Sequence, residues 1–178
     1  MKVNPGFTLI ELLVALTVGG ILFAIGVPAF SSFVKNDRDT GQVNSLVASF
    51  GYARSEAVKR ASPNGVTVCP SPDGLNCGAT PWTGGWIVTY VDPLNAANNV
   101  VFQSIPALSG TNTVTPVVGP AGGITFFSSG LASAAMTIRV CDDRGAAFAR
   151  QIEVLATGRV AASQTPGKSV NGAALACP

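Results

Sequence analysis

The strongest constraint on this chain is an apolar segment close to its start. From Leu12 to Phe30 the sequence contains no charged residue, and about 18 or more consecutive apolar residues are enough to span a bilayer as a helix. A secretory signal peptide starts in a comparable way, but its small-residue cleavage site follows the apolar stretch. Here the only good processing point, Gly6-Phe7, precedes the stretch. We therefore expect the apolar segment to remain in the mature protein.

A single acid, Glu11, interrupts the beginning of this apolar region. A carboxylate kept inside a helix of membrane length is costly and usually has a partner. If the chain is cleaved between Gly6 and Phe7, the new amine of Phe7 lies at the i,i+4 spacing from Glu11, within pairing reach on a helix. The sequence therefore predicts that Glu11 pairs with an amino terminus.

The run G-F-T-L-I-E at residues 6–11, followed by the hydrophobic segment, resembles the class III leader and N-terminal helix of type IV pilins and type II secretion pseudopilins. The resemblance implies that a membrane aspartyl peptidase removes the leader, residues 1–6, by cutting after Gly6, and methylates Phe7. It also implies that Glu11 assists assembly and that Pro28 kinks the helix. The alternative is an ordinary signal anchor in which Glu11 is incidental.

The same resemblance implies where the protein resides and what it meets. Residues 7–30 would form a helix that lies first in the membrane and then in a filament core. The protein would cross the inner membrane once with its domain in the periplasm, and later belong to a cell-surface pilus. The implied partners are other major and minor pilins and the prepilin peptidase.

Composition limits the remaining possibilities. The 178 residues leave room for one membrane helix and one domain of ordinary size. Charged residues make up 11% of the chain and the net charge is +2, so nucleic-acid binding would require local clustering of cations. Histidine, the commonest general base, is absent. Paired carboxylates such as Asp142 and Asp143 could serve acid-base catalysis or bind calcium, but these two lie in a segment typical of a turn. Since no other catalytic set stands out, we expect no enzyme activity and no cofactor.

The pattern beyond Pro28 predicts a second, amphipathic helix half over residues 31–61. Apolar residues recur there at spacings of three and four, which is typical of one helix face: Val43, Leu46, Phe50, Ala53 and Ala57. The run Ser62-Pro63-Asn64-Gly65 predicts the helix end, because proline and glycine do not continue a helix cheaply. Residues 62–178 would then form a separate β-rich domain.

Six segments of this last region are rich in β-branched and aromatic residues and are separated by turn residues, which indicates strands. They are Val66-Cys69, Gly85-Val91, Val100-Ile105, Gly123-Phe127, Met136-Cys141 and Arg150-Leu155. Pro106, Pro116, Pro120 and the Gly122-Gly123 pair predict a long irregular connection between Ile105 and Ile124. A helix packed on antiparallel strands gives an α+β domain.

Internal motifs extend the resemblance to the GspH/FimT group of minor pilins. They are ARSEAVKR at 53–60, VTVCPSPDGLNC at 66–77, WTGGWIV at 82–88, ITFFSSG at 124–130 and IRVCD at 138–142. The resemblance implies a type IV pilin fold, with a long N-terminal helix packed on a C-terminal antiparallel β domain. It implies a minor pilin that assists pilus initiation at the tip. The alternative is a minor, GspH-like pseudopilin of a type II secretion system.

The four cysteines, Cys69, Cys77, Cys141 and Cys177, are expected to form disulfides, which persist outside the cytoplasm. Four cysteines allow three connectivities, and the sequence does not choose among them. We favour 69–77 with 141–177, because the first pair closes a short loop around turn residues. A zinc site is disfavoured, since the sequence has no C-x-x-C pair and no histidine.

One motif bears on DNA. Members of this group implicated in DNA uptake carry a G-R-x-R run near the C-terminus; residues 158–160 match it, but Ala161 occupies the place of the second arginine. Extracellular double-stranded DNA is therefore a candidate ligand of Arg159, and a single solvated arginine is the alternative. Phosphate contacts need only proximity and exposure. Three other cations would restore a basic patch if the tail folds back over the last strands: Arg144, Arg150 and Lys168.

Overall fold

The computed structural model describes residues 6–61, 64–78, 81–90, 92, 95 and 99–177. The chain divides into two compact units, one ending at Arg38 and the other beginning at Asp39. A single helix, α1 (Leu9–Lys59), contributes residues to both. It agrees to within two residues at each end with the predicted Phe7–Ala61 span. Pro28 lies inside α1 without ending it.

The C-terminal half of α1 belongs to the second unit and supplies its core. The five predicted stripe residues are all buried, four of them completely: Val43, Leu46, Phe50, Ala53 and Ala57. Lys59 ends the helix, and its positive charge interacts favourably with the negative C-terminal end of the helix dipole. The predicted amphipathic face is therefore confirmed for this part of the helix.

Within the described residues, eight strands follow α1 and form two four-stranded antiparallel sheets. The first sheet has the order β3-β2-β1-β5 and the second has the order β4-β6-β7-β8. The bounds are β1 Val66–Pro70, β2 Trp86–Tyr90, β3 Val100–Ile105, β4 Thr113–Val118, β5 Ile124–Phe126, β6 Met136–Cys141, β7 Arg150–Val154 and β8 Val160–Ala162. The predicted α+β class is confirmed.

The irregular connection predicted between Ile105 and Ile124 is wrong, because β4 lies within it. Proline cannot donate a ladder hydrogen bond, so within sheets it is confined to edges, strand starts and bulges. Pro116 meets this rule twice: β4 is the edge strand of its sheet, and the register with β6 shifts between Pro116 and Val118. The short strand β8 was also not among the six predicted segments.

Both tryptophans are buried in the core of the second unit and keep a partner for their indole N–H. Trp86 donates to the hydroxyl of Ser49 over 3.0 Å, and Trp82 donates to the carbonyl of Ala121 over the same distance. A buried indole needs such a partner. The core thus combines the apolar face of α1 with the inner faces of both sheets.

Candidate functional site

The N-terminal end of α1 carries the residues predicted for processing and assembly. Thr8 precedes the helix, and its hydroxyl accepts a 3.3 Å hydrogen bond from the backbone N–H of Glu11. Thr8 and Glu11 therefore have the T-x-x-E spacing of a capping box, a signal that the sequence analysis missed. Gly6 and Phe7 lie outside the helix and are exposed. Glu11 therefore lies in the first turn of the helix.

The Glu11 carboxylate has no ion pair and no side-chain hydrogen bond within the part of the chain that the structure describes. Around it, no residue from 6 to 38 is buried. Large apolar side chains such as Ile10 and Phe23 are 66% and 73% exposed. Among the described helices, this one is long and apolar enough to cross a membrane, judged by length and composition. Residues 7–30 therefore present an apolar surface of membrane length that contains one acid, Glu11, without a partner among the described residues.

The structure corrects the assignment of Arg144 to a DNA-binding patch. Its guanidinium is largely buried and pairs with two carboxylates, at 2.6 Å from Asp142 and 2.9 Å from Asp39. It also lies over the ring of Phe148, 4.1 Å from the ring centroid. A cation held by two acids and a ring has little charge to offer a phosphate. Residues 142–144 form a turn, as predicted, but the side chain of Arg144 is directed toward the protein interior rather than toward solvent.

Asp39 is the other half of this network, and its environment is mixed. The amide of Asn112 donates to Asp39 and to Gln42, over 2.6 Å in each case. Burial raises the pKa of Asp39 above its ordinary value, against the opposing hydrogen bonds from Asn112 and Arg144. The network joins α1 to the turn after β6, so its role in the structure is to fix the helix on the second sheet.

The remaining predicted basic residues fall at opposite ends of β7. The tail does fold back: the N–H of Gly167 bonds to the carbonyl of Ala149, which places Lys168 near the start of β7 beside Arg150. Arg159 lies past the other end, in the turn that leads to β8. Five residues of strand separate these ends, about 17 Å. The predicted single patch is therefore split, and Arg159 is not joined by Arg150 or Lys168.

A cation of α1 that no sequence motif links to Arg159 lies close to its backbone instead. Arg54 of α1 donates from Nε to the carbonyl of Gly130 over 2.9 Å. A Cβ atom added at Gly158 would lie 2.9 Å from the same Nε. The Nε atom of Arg54 therefore lies beside Gly158, the residue that precedes Arg159. Nothing in the helical spacing of Arg54 signals this, because the contact depends on two turns that are distant in sequence.

Both disulfides have the favoured pairing. Cys69 and Cys77 are joined with their Cα atoms 5.5 Å apart, and Cys141 and Cys177 with theirs 6.0 Å apart. Within the first loop, Asp73 accepts bonds from the backbone N–H groups of Asn76 and Leu75, and these hold its pKa well below the ordinary value. Among the described residues no cluster of three or more potential ligands could hold a metal.

Comparison with known proteins finds family models for both the N-terminal segment and the β-rich domain. A family model described as type II transport protein GspH matches residues 42–158, and one described as a prokaryotic N-terminal methylation motif matches residues 1–27. Prepilin peptidase-dependent protein D of Escherichia coli K12 is 30% identical over 127 residues, which cover 70% of this chain and 81% of that protein.

Two further similarities are more limited. Fimbrial protein Q of Moraxella bovis is 40% identical over 48 residues, only 27% of this chain and 31% of that protein. The crystal structure of the type IV minor pilin FimU of Pseudomonas aeruginosa PAO1 superposes with a TM-score of 0.56 at 19% identity, covering 75% of this chain and 98% of that one. At this identity the superposition shows a shared fold.

Proposed function

The chain belongs to the GspH family and carries the prokaryotic N-terminal methylation motif, and from this premise we propose that it is a minor pilin that helps to initiate a type IV pilus at its tip. The observation that carries the proposal is the uncompensated Glu11 carboxylate on a helix whose apolar surface is unburied. Cleavage after Gly6 supplies an amine one turn away, and a neighbouring subunit supplies another.

The physical argument is one of solvation. An ionised carboxylate is costly in hydrocarbon unless a cation compensates it. In the membrane the apolar surface of residues 7–30 is covered by lipid, and in a filament it is covered by helices of other subunits. Pairing Glu11 with the terminal amine of a neighbour would favour the filament over the free subunit. Glu11 therefore acts in assembly rather than in folding of the second unit.

The test is a set of Glu11 variants expressed in a strain that lacks the native gene. Glu11→Gln removes the charge at nearly constant shape, and Glu11→Asp keeps it. We expect the Gln variant to reach the membrane in normal amount but to be depleted from sheared filaments, with the Asp variant closer to wild type. Wild-type incorporation of Glu11→Gln would refute the role of the charge.

A minor pseudopilin of type II secretion is the second structural candidate, favoured by the description of the matching family. Both candidates use the same N-terminal residues, so variants of Glu11 do not separate them. Deletion does: loss of pili with secretion intact supports the pilus, and loss of secreted proteins with pili intact supports the pseudopilus.

A ligand-binding role at the same tip is favoured by one specific observation. The side chain of Arg159 is exposed and has no carboxylate partner among the described residues. Such a cation is available to the phosphates of extracellular double-stranded DNA. Under this candidate, Arg159→Ala should lower natural transformation while pili remain. Unchanged transformation in that variant would leave the assembly role alone.

A further inference from the structure

Arg159 lies where two tight turns pack side by side. The turn after β5 closes through a 2.8 Å bond from the N–H of Gly130, and the turn after β7 closes through an equal bond from the N–H of Gly158. The N–H of Ala132 bonds to the carbonyl of Ala156, which ties the two turns together. Gly158 has a φ of +77° and sits directly against the carbonyl oxygen of Gly130. The backbone under Arg159 is therefore closely fixed.

Arg54 reaches this pair of turns from the helix. Only its Nε is used, in the bond to Gly130, and the residue is exposed. A guanidinium has five N–H donors in a planar fork, so the Nη groups remain open to an external acceptor within the described surroundings. The position of its Nε atom beside Gly158 brings Arg54 close to the backbone of Arg159.

The charges around the pair are not balanced. Three of the described cations of the second unit have a carboxylate within 4.0 Å: Lys59 and Arg60 share Glu56, and Arg144 pairs with two aspartates. Neither Arg54 nor Arg159 has a carboxylate within 4.0 Å among the described residues. Two neighbouring cations repel each other, and an anion bound between them would relieve that repulsion.

We propose that Arg54 and Arg159 form one two-guanidinium site for phosphate oxygens of the DNA backbone. The proposal deepens the DNA-binding candidate above and rests on it. Guanidinium forks match the oxygens of phosphate bidentately. Arg54, from α1, supplies the second cation that Ala161 does not provide.

The position of two further cations without a carboxylate partner favours a polyanion over a single acidic side chain as the ligand. Arg150 and Lys168 also have no carboxylate partner among the described residues, and they lie at the far end of β7, about 17 Å away. A DNA backbone carries regularly spaced charge over such distances. An acidic protein segment is the competing ligand and is distinguished in the experiment.

The experiment measures binding of the full mature chain, in non-ionic detergent, to a labelled DNA duplex by fluorescence anisotropy across a salt series. Arg54→Gln keeps a neutral donor for Gly130 but removes the charge. We expect it to bind about tenfold more weakly, the scale of one lost charge-assisted contact. The slope of log K against log salt should fall in magnitude by about 0.9. Arg159→Gln should do the same, and Arg54→Lys should lose less.

Lys59→Gln is the matched control. It removes the same charge from the same helix, but Lys59 is five residues further on, so it points to a different side and has Glu56 at 3.7 Å. We expect its salt slope to equal that of wild type. Unchanged tryptophan fluorescence must accompany each variant, because both indoles report on the core.

The outcomes separate the two levels of the proposal. Absence of wild-type binding at low salt would overturn the DNA candidate together with this inference. Weakened binding by Arg159→Gln with wild-type binding by Arg54→Gln would overturn the inference alone. Competition by poly-glutamate as strong as that by unlabelled duplex, at equal charge, would assign the site to an acidic protein partner and also overturn it.

Discussion

The two units differ in the burial of their apolar side chains, which are exposed in residues 6–38 and form a buried core in the described part of residues 39–177. In the first unit Phe23 is 73% exposed, and most of the large apolar side chains near it are also exposed. Phe50, on the same helix but in the second unit, is completely buried. The second unit buries most of the large side chains of its core and gives buried polar groups such as Asp39 and both indoles partners within the chain. The first unit leaves its apolar surface and the Glu11 carboxylate to be satisfied by lipid or by other subunits.

This difference teaches that the two halves of α1 are under different constraints. Substitutions in the second unit should change the free energy of unfolding, because they remove contacts within the chain. Substitutions in the first unit should change membrane insertion or assembly and leave that free energy alone. Both tryptophans lie in the second unit, so fluorescence during chemical denaturation of the full chain measures its stability separately.

The largest expected effect comes from one pair of phenylalanine variants. Phe50→Ala should lower the free energy of unfolding by about 3–5 kcal/mol, because it leaves a cavity between α1 and the sheets. Phe23→Ala, an identical change on the same helix, should alter it by less than about 0.5 kcal/mol. Denaturant titration in detergent measures both. Similar losses of unfolding free energy in the two variants would contradict the difference between the two units.

Arg144 should come next. Removing it leaves Asp39 and Asp142 buried without their cation, and breaking a buried ion pair from one side typically costs about 3–5 kcal/mol. We expect Arg144→Gln to be destabilised by roughly this amount while the correctly folded fraction keeps the DNA affinity of wild type. A variant of normal stability with weakened DNA binding would restore the sequence-based assignment that the structure overturns.

These two residues illustrate what the sequence could and could not predict. Phe50 belongs to a stripe whose periodicity alone indicates burial, and the β-branched and aromatic runs of six of the eight described strands are equally local signals. The sequence suggests Arg144 as a cation of an exposed basic patch, because its partner Asp39 is far away in sequence. Strand β4 was missed because Pro116 argues against a strand unless the edge position is known. Long-range geometry decided each of these cases.

The Cys141–Cys177 disulfide should have a similar or somewhat smaller effect. Loss of a native bridge typically costs about 2–5 kcal/mol, so Cys141→Ser and Cys177→Ser should each lower stability by comparable amounts. The double variant should be no less stable than the weaker single variant, because only one bridge exists to be lost. Additive losses in the thermal midpoints would contradict the pairing.

The smallest effect is pH-dependent and concerns Asp73. Backbone hydrogen bonds lower its folded pKa, so ionised Asp73 stabilises the fold above the unfolded pKa of about 3.9, and this contribution is lost as pH falls toward the folded pKa. Asp73→Asn should therefore lower the melting temperature slightly at pH 7. The difference from wild type should narrow below pH 4, and a constant difference across that range would exclude this origin.

The central claim is that the first unit is completed by cleavage and by partners, and the most direct test is the mass of the N-terminal peptide. Native protein purified from membranes and from sheared filaments should begin at Phe7, with an N-methyl group. The apolar segment up to Phe30 should still be attached. An N-terminus at Met1 in the filament fraction, or one beyond Pro28, would contradict the account.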